Sequence, residues 1–457
     1  MPTSILIPGG VLGLGFDPAA LSAGLEKKPH AICIDGGSTD SGPFYLGTGT
    51  SKYSAAATRS EWRDLMIARQ QAGVPLVLGS CGTCGSDQAV DWMYQLTLDI
   101  ASELGQSIRV ARLYSSQSAE VLVTARQDDR LHPLDPVIPL DESGIKRCAN
   151  IVALAGVEQI SAALQTGADI VLAGRTTDTA VIAAIPIDRG EHIGASWHGA
   201  KIGECGALCS TNPTSGVILI DFDENGFSVQ PMADGATCTP YSVSAHMLYE
   251  NANPLRLVEP GGTLDVTNAV YEAIDERSVR VTGSEWLPSS TYTVKLEGAH
   301  LSGYQTSTMV LLRHREYVAR AQEWCNKLHA FLVTKVSEQM NLDPESYDIE
   351  FRLIGVDATL GSLESVKSQP AEVGVLVLTT AETQTIATDI ARLSNPFLLH
   401  FPLTESEELP TFAFPYSPAE SERGALYEFS MNHVMALDKP MDAFRLMVSE
   451  VVDGQSV

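Results

Sequence analysis

The first stretch whose residues are suited to chemistry is a polar loop at positions 35–41, directly after the apolar run 31–34. Glycine allows a backbone to turn sharply or to approach a ligand closely. Successive exposed N–H groups in such a loop form a concave nest that attracts anions. We therefore interpret the loop as part of a substrate site, although a polar turn that caps a helix is the alternative. Asp35 is the candidate catalytic residue, and the candidate substrate-binding residues are Gly36, Gly37, Ser38, Thr39, Asp40 and Ser41.

A second loop, GSCGTCGSD at positions 79–87, places Cys81 and Cys84 in a C-x-x-C arrangement before a predicted helix. Three interpretations stay open: a redox pair activated by the helix start, a metal or iron–sulfur site completed by Cys205 and Cys209, or a requirement for small residues. In every case the loop backbone can cradle an anion or oxyanion. Cys84 is a candidate catalytic residue, and the candidate substrate-binding residues of this loop are Ser80, Gly82, Thr83 and Gly85.

A third loop, GRTTDTA from position 174, offers an arginine that can clamp a carboxylate or phosphate with two hydrogen bonds. Asp178 is either a catalytic base, kept ionised by Arg175, or the cap of the next helix. We expect Arg175→Lys to weaken substrate use severely and to leave the melting temperature nearly unchanged. Thr176, Thr177 and Glu204 complete the candidate substrate-binding set.

The three loops need elements that bring them together, and the surrounding sequence supplies them. Apolar runs at 4–7, 31–34, 74–78, 109–114, 151–155 and 169–173 predict strands, and segments 60–72, 88–104, 119–127 and 156–165 predict helices. Such alternation is typical of βαβ units and a parallel sheet. Loops at the carboxyl ends of parallel strands meet in one crevice. The sequence therefore predicts that the three loops share one pocket.

The second half of the chain has a different pattern of predicted helices and strands. Segments 217–222 and 226–229 predict a hairpin, and segment 316–340 predicts one long helix. Segments 348–356, 373–379, 381–393 and 397–401 predict a β-β-α-β layer. We expect an α/β protein with a Rossmann-like parallel-sheet domain at residues 1–215 and a mixed α+β domain at residues 216–457.

Composition limits the partners. A formal net charge of −26 repels nucleic acid and anionic membranes, so we expect neither as a partner. The N-terminus lacks a charged leader, no run reaches membrane-span length, and the eight cysteines are scattered as in reduced cytosolic proteins. We therefore expect a cytoplasmic protein, assembled as a homo-oligomer, that binds a small anionic substrate. The motifs of zinc proteases, P-loop NTPases and serine hydrolases do not occur.

Five motifs in order resemble the acyclic terpene utilisation protein AtuA family. They are DGGSTDSGP with YLGTG, GSCGTCG, GRTTD, NPFLLHFP at 395–402 and SPAESERGALYEFSMNHV at 417–434. The resemblance runs over about residues 4–437. Many relatives resemble GS-small-G-T-small-G in the second loop, which favours the small-residue interpretation of Cys81 and Cys84. The resemblance implies a role in the degradation of branched terpenoid acids near CoA-thioester steps.

These observations favour an enzyme of small branched carboxylate or acyl-CoA catabolism, a lyase or hydratase that needs no cofactor. Asp35 or Asp178 moves the proton, the second loop holds the oxyanion, and Arg175 clamps the carboxylate. The alternatives are a hydrolase with Cys84 or Ser38 as nucleophile, an iron–sulfur hydro-lyase that uses the four loop cysteines, and a non-catalytic carboxylate-binding subunit.

Overall fold

A computed structural model describes residues 2–249, 251–366, 370–452 and 454–456. The chain divides into two compact units, the first formed by Met1–His300 with Phe429–Val457 and the second by Leu301–Glu428. The division therefore differs from the predicted boundary at residue 215. The physical reason is that the strand after this position, Ile218–Phe222, pairs with the first strand of the chain and belongs to the same sheet.

The α-helices of the described residues are α1 Pro18–Glu26, α2 Pro43–Thr48, α3 Ala55–Ala72, α4 Asp87–Leu104, α5 Ala119–Gln127, α6 Glu142–Arg147, α7 Val157–Leu164, α8 Asp178–Asp188, α9 Ile193–Gly203, α10 Pro240–His246, α11 Arg315–Ala319, α12 Ala321–Met340 and α13 Gln384–His400. The strands are β1 Thr3–Ile7, β2 Ala31–Asp35, β3 Leu76–Gly79, β4 Ile108–Tyr114, β5 Leu131–Pro133, β6 Cys148–Ala153, β7 Ile170–Ala173, β8 Ile218–Phe222, β9 Gly226–Pro231, β10 Arg256–Glu259, β11 Gly262–Asp265, β12 Val270–Ala273, β13 Val279–Thr282, β14 Glu285–Pro288, β15 Tyr292–Leu312, β16 Tyr347–Ile354, β17 Val373–Ala381, β18 Glu420–Leu437, β19 Arg445–Val452 and β20 Gln455–Ser456.

The first unit is built on a sheet whose strand order is β12-β13-β9-β8-β1-β2-β3-β7-β4-β19-β20. The five strands β1, β2, β3, β7 and β4 run parallel, which confirms the predicted α/β class. Antiparallel strands flank them, with β8 pairing to β1 and β19 pairing to β4. The β8–β9 hairpin forms as predicted, and the Asp223 carboxylate accepts from Asn225 and Gly226 N–H in its turn.

Side chains of the parallel strands alternate between two cores, as the two-residue period of a strand requires. On one face, Ile5, Cys33 and Val77 pack with α7, α8 and α9. On the other face, Leu6 and Ile32 pack with α1, α3 and α4. Because helices cover both faces, the central strands β2, β3 and β7 are apolar up to their carboxyl ends, whereas β4, nearer the edge, carries Arg109 and Arg112.

Strand order explains why the candidate loops lie together. β3 is adjacent to both β2 and β7, and all three strands run in the same direction. The loops after their carboxyl ends are therefore neighbours, as predicted.

Two local expectations differ from the structure. β6, predicted as part of the parallel alternation, instead pairs antiparallel with residues 296–300 of β15. The sequence also favours Asp87, the last residue of the second loop, as the N-cap of the following helix, but the Ser86 hydroxyl accepts from Ala89 N–H in that role. The Asp87 carboxylate accepts from Ser116 N–H instead.

In the second unit, β16 and β17 pair antiparallel, and β17 also pairs with residues 304–312 of β15. The predicted helix 316–340 breaks at Arg320 into α11 and α12. The predicted strand 397–401 is wrong, because α13 continues through Pro396 to His400. The helix persists because Leu398 is buried in the core while Phe397 stacks edge-on against Phe331, with ring centroids 4.7 Å apart.

Within the described part of the chain, none of the helices combines the length and the apolar character that crossing a membrane requires.

Candidate functional site

Backbone hydrogen bonds join the three candidate loops directly. Gly36 N–H donates to the Gly79 carbonyl at 2.9 Å, and Thr83 N–H donates back to the Gly36 carbonyl at 3.1 Å. The second and third loops are joined by Arg175 N–H, which donates to the Gly85 carbonyl at 3.0 Å. The glycines of these loops therefore serve close backbone packing.

Gly85 shows how tight this packing is. Its φ of +65° is in the left-handed region, and a Cβ built on it would lie 2.1 Å from the Arg175 backbone nitrogen. Since backbone atoms cannot give way as a flexible side chain can, any larger residue at this position must separate the two loops.

We expect Gly85→Ala to lower the free energy of unfolding by on the order of 3 kcal/mol, through strain and overpacking together. Gly73→Ala is the matched control, because Gly73 has the same φ of +65° and a Cβ added there would meet nothing within 4 Å. That control should cost about 1 kcal/mol. Urea unfolding measures both variants, and equal losses would show that the contact between the loops is not the cause.

The second loop also carries strain at two residues that have a Cβ. Ser80 has φ +40° and Thr83 has φ +81°, conformations that cost of order 1–3 kcal/mol each. The predicted oxyanion cradle does not form as expected, since Thr83 N–H and Gly85 N–H donate to the carbonyls of Gly36 and Cys81. The loop is a scaffold for its neighbours.

A cavity of about 590 Å³ opens beside the first loop. Asp35, Gly37, Ser38, Asp40, Ser41, Asp178 and Glu204 are the predicted residues that line it. The other predicted residues are not in its wall: Gly36, Thr39, Ser80, Gly82, Thr83, Cys84, Gly85, Arg175, Thr176 and Thr177. Its volume lies in the usual range for small-molecule sites.

Asp35 ends β2 and is 5% exposed. Its Oδ2 accepts from Gly37 N–H at 2.8 Å, while its buried Oδ1 has no hydrogen-bond partner among the described residues. Burial, and then the charge of Asp178, raises the pKa of the Asp35 carboxyl well above its ordinary value, with Arg175 opposing the shift. Burial therefore favours the protonated form of this carboxyl at the cavity.

Arg175 is buried behind the cavity wall, and its guanidinium binds protein carboxylates. Its Nε donates to Glu297 Oε2 at 3.0 Å, and its Nη1 lies 3.5 Å from Asp178 Oδ1. Nη1 also donates to Ser80 Oγ, and Nη2 donates to Thr39 Oγ1 at 3.4 Å. The guanidinium that we expected to clamp a substrate is thus engaged by the protein.

Asp178 is the first residue of α8, but it does not cap the helix. The Thr177 hydroxyl accepts from Ala180 N–H as the cap. The Asp178 side chain is 32% exposed and lines the cavity. Asp178 therefore combines an ion-pair contact with Arg175 and access to the cavity.

A further acidic residue of the cavity lining is Glu204. Glu204 is buried and forms an ion pair with Lys201 of α9. Burial, Asp178 and Glu259 act together to raise the pKa of Glu204 well above its ordinary value, against the opposing effect of Lys201. Burial also raises the pKa of Glu259, which accepts from Thr179 Oγ1 at 2.8 Å, to about 7.

Sequence reasoning missed the basic residue of the cavity. Lys52 is the one basic side chain among the described lining residues, and its Nζ lies 3.4 Å from Ser41 Oγ. Tyr53 lines the cavity beside it, and burial and Asp35 raise the pKa of its hydroxyl. The available sequence signal for these two residues was the pair Lys52-Tyr53, which begins seven residues after the start of YLGTG. A pattern of two residues is too short to be distinguished from an ordinary surface turn.

Glu297 was also missed. It lies on β15 opposite Val152 of β6 and is 6% exposed. In the sequence, Glu297 and Lys295 are two positions apart, as charged residues on the polar face of a strand commonly are. No local feature indicates that Glu297 pairs with Arg175, which is 122 positions away.

The eight cysteines all lie in the described residues and are free thiols. Burial raises the pKa of Cys84 to about 12, and burial followed by Asp35 raises that of Cys81. Protonated thiols are poor nucleophiles and poor metal ligands. Within the described residues, no group of three or more His, Cys, Asp or Glu is arranged to hold a metal ion.

We expect the Cys81→Ala, Cys84→Ala double variant to lose about 1 kcal/mol of unfolding free energy per site, because each change removes one buried atom. Turnover should be unchanged, since neither thiol lines the cavity. Thermal melting and turnover on one preparation test this expectation. Loss of turnover with an intact fold would show that at least one of the two thiols takes part in the reaction.

A family model described as "Acyclic terpene utilisation family protein AtuA" matches residues 85–404. The match includes the GRTTD and NPFLLHFP motifs, whereas the Asp35 loop and the segment 417–434 lie outside it. Comparison with curated proteins and with solved structures gave no match.

Proposed function

The chain belongs to the acyclic terpene utilisation AtuA family, and on that premise we propose that it is a hydro-lyase of branched carboxylate or acyl-CoA catabolism. The family description assigns a role in acyclic terpene utilisation. The proposal adds the reaction type, water addition or removal beside a carboxylate or thioester, and a cytoplasmic, homo-oligomeric enzyme without a resident cofactor.

One observation carries the proposal: two carboxyl groups in one cavity have opposite environments. Asp35 is buried, its Oδ1 has no hydrogen-bond partner among the described residues, and burial raises its pKa, which favours the protonated form. Asp178 lies beside Arg175 and is partly exposed to the cavity. Pairs of titratable groups whose environments separate their acidities are typical of acid–base catalysis.

The proposed reaction uses both groups in one step. In hydration, Asp178 accepts a proton from water while the water oxygen bonds to the β-carbon of a conjugated double bond. Asp35 donates its proton to the α-carbon, so that the elements of water are added across the bond. Dehydration is the reverse, and solvent exchange returns the proton from Asp178 to Asp35.

Charge around the cavity is compatible with an anionic ligand, although the chain carries −26 overall. Asp178 is paired with Arg175, Glu204 is paired with Lys201, and burial favours the protonated form of Asp35. The carboxylate of Asp40, which also lines the cavity, accepts from Ser38 Oγ. Exposed Lys52 then supplies a positive charge at the cavity for a carboxylate or for the phosphates of a thioester carrier. In the proposal Lys52 therefore takes the anchoring role first expected of Arg175.

A panel of 2-enoyl thioesters and free acids, straight or methyl-branched, tests the proposal through loss of the conjugated absorbance. We expect turnover of branched members by the wild type and its loss in Asp178→Asn. Asp64→Asn is the matched control, because Asp64 is exposed on α3 away from the cavity. Ligand binding without turnover by the wild type would favour a binding subunit and contradict the enzyme.

A further inference from the structure

The carboxylate of Glu297 is the centre of the buried network behind the cavity. Its Oε2 accepts from Arg175 Nε at 3.0 Å and from Thr39 Oγ1 at 2.9 Å. Its Oε1 accepts from Lys295 Nζ at 2.9 Å. One side chain on β15 therefore joins the first and third candidate loops, and each of its oxygens is used.

We infer that Glu297 is a positioning residue of the candidate site, which fixes the guanidinium of Arg175 beside the first loop and thereby sets the positive charge that Arg175 presents to Asp35. Its catalytic consequence rests on the proposed function, whereas its electrostatic consequence rests on the contacts alone. Glu297 does not line the cavity, so it acts through Arg175 and not on a ligand.

Three carboxyl groups share the buried positive charge of Arg175. Arg175 faces the carboxylates of Glu297, Asp178 and Asp35. Glu297 remains ionised, because Arg175 and Lys295 outweigh the effect of burial and lower its pKa to about 2. While Glu297 carries its charge, it offsets part of the guanidinium charge that acts on Asp35, and this favours the protonated form of Asp35.

Other charged or titratable groups act on this cluster from the elements packed around it. They are Lys201 of α9, Glu204 directly after this helix, Glu259 of β10, Lys295 of β15, Tyr53, Cys81 and Cys84. Glu297→Gln changes only one charge in this set and leaves the shape of the side chain almost the same. The acidity of Asp35 should follow that charge.

The test is a pH titration of the full-length protein labelled with carboxyl carbon-13 aspartate. The Asp35 signal is identified by its disappearance in Asp35→Asn. Glu297→Gln should lower the Asp35 midpoint by about one pH unit, because Arg175 is no longer offset. Lys295→Gln should raise the midpoint, because it removes a positive charge and leaves Glu297 less neutralised.

Opposite shifts separate positioning by charge from general damage, which would move both variants in the same direction. Glu450→Gln is the matched control, because it breaks an exposed ion pair with Arg109 on β4, and it should leave the Asp35 midpoint unchanged. If Glu297→Gln does not fold, Lys295→Gln decides alone, since Lys295 is half-exposed. An unmoved midpoint in the folded variants overturns the inference.

Failure of the inference and failure of the proposed function are distinguishable. If no panel thioester reacts but the midpoints shift in opposite directions, the positioning role stands without the hydro-lyase. If Asp178→Asn abolishes turnover but Glu297→Gln leaves both the midpoint and the pH profile of turnover unchanged, the hydro-lyase stands and the inference falls.

Discussion

Asp35→Asn should lower turnover by about 10²–10⁴-fold, the usual contribution of a positioned general acid. The same variant should be at least as stable as the wild type near neutral pH. Asparagine has the shape of a protonated carboxyl and can still accept from Gly37 N–H, but it cannot donate a proton to carbon. Large loss of function with no loss of stability is the expected signature.

The sign of the stability effect follows from the raised pKa of the Asp35 carboxyl. The Asp35 pKa is raised above its ordinary value of 3.8 in the folded state. Between the two values the folded protein binds a proton that the unfolded chain has released. Stability therefore falls as pH rises from the ordinary value to the raised one. Asp35→Asn removes this fall.

Urea unfolding at about pH 5 and about pH 7, with turnover measured on the same samples, tests both parts. The wild type should lose more unfolding free energy between these conditions than Asp35→Asn does. Asp64→Asn should behave as the wild type in both measurements. A variant that is destabilised near neutral pH and retains turnover would show that Asp35 is only structural.

Arg175→Met should cost about 3–5 kcal/mol of unfolding free energy, the usual result of removing one member of a buried ion pair. Glu297 and Arg175 have side chains that are each 7% exposed, so the carboxylate that remains is poorly solvated and keeps only half-exposed Lys295 as its charged partner. Arg175→Lys should also lower the melting temperature, because an ammonium cannot reproduce the three directions of the guanidinium contacts. This revises the expectation from sequence that the melting temperature would hardly change.

A double-variant cycle separates this pair from ordinary packing. The Arg175→Met, Glu297→Met double variant should lose much less stability than the sum of the single variants, since no unpaired charge remains buried. Arg109→Met, which breaks an exposed pair with Glu450, should change the unfolding free energy by no more than about 1 kcal/mol. Additive losses in the cycle would contradict the role of the buried pair.

The sequence predicted the parts of the site that depend on local pattern. The Asp35, Cys81 and Arg175 loops were found because each follows an apolar strand, and parallel strands place such loops at one edge. The direction in which a side chain points was not predictable in the same way. Arg175 was expected to bind a ligand. Its guanidinium instead donates to the carboxylate of Glu297, which lies on β15, a strand that pairs with β6.

Long-range pairing explains the other misses as well. β8 joins the parallel sheet by pairing with β1, which is more than 200 positions earlier. The change in the pattern of predicted elements at residue 215 therefore does not coincide with a boundary between the two compact units. Lys52 becomes a cavity residue only because its N–H donates to Thr83 Oγ1 of the second loop at 2.9 Å. Such contacts leave no periodic signal in the sequence.

The most direct test of the account is the isotope content of the product. The wild-type protein, given a branched 2-enoyl thioester in deuterium oxide, should form a 3-hydroxy thioester with one deuterium on the α-carbon, as mass spectrometry after back-exchange of the hydroxyl would show. Asp35→Asn should form almost none. Unlabelled free acid as the product would indicate thioester hydrolysis, and it would contradict proton donation from Asp35 to carbon.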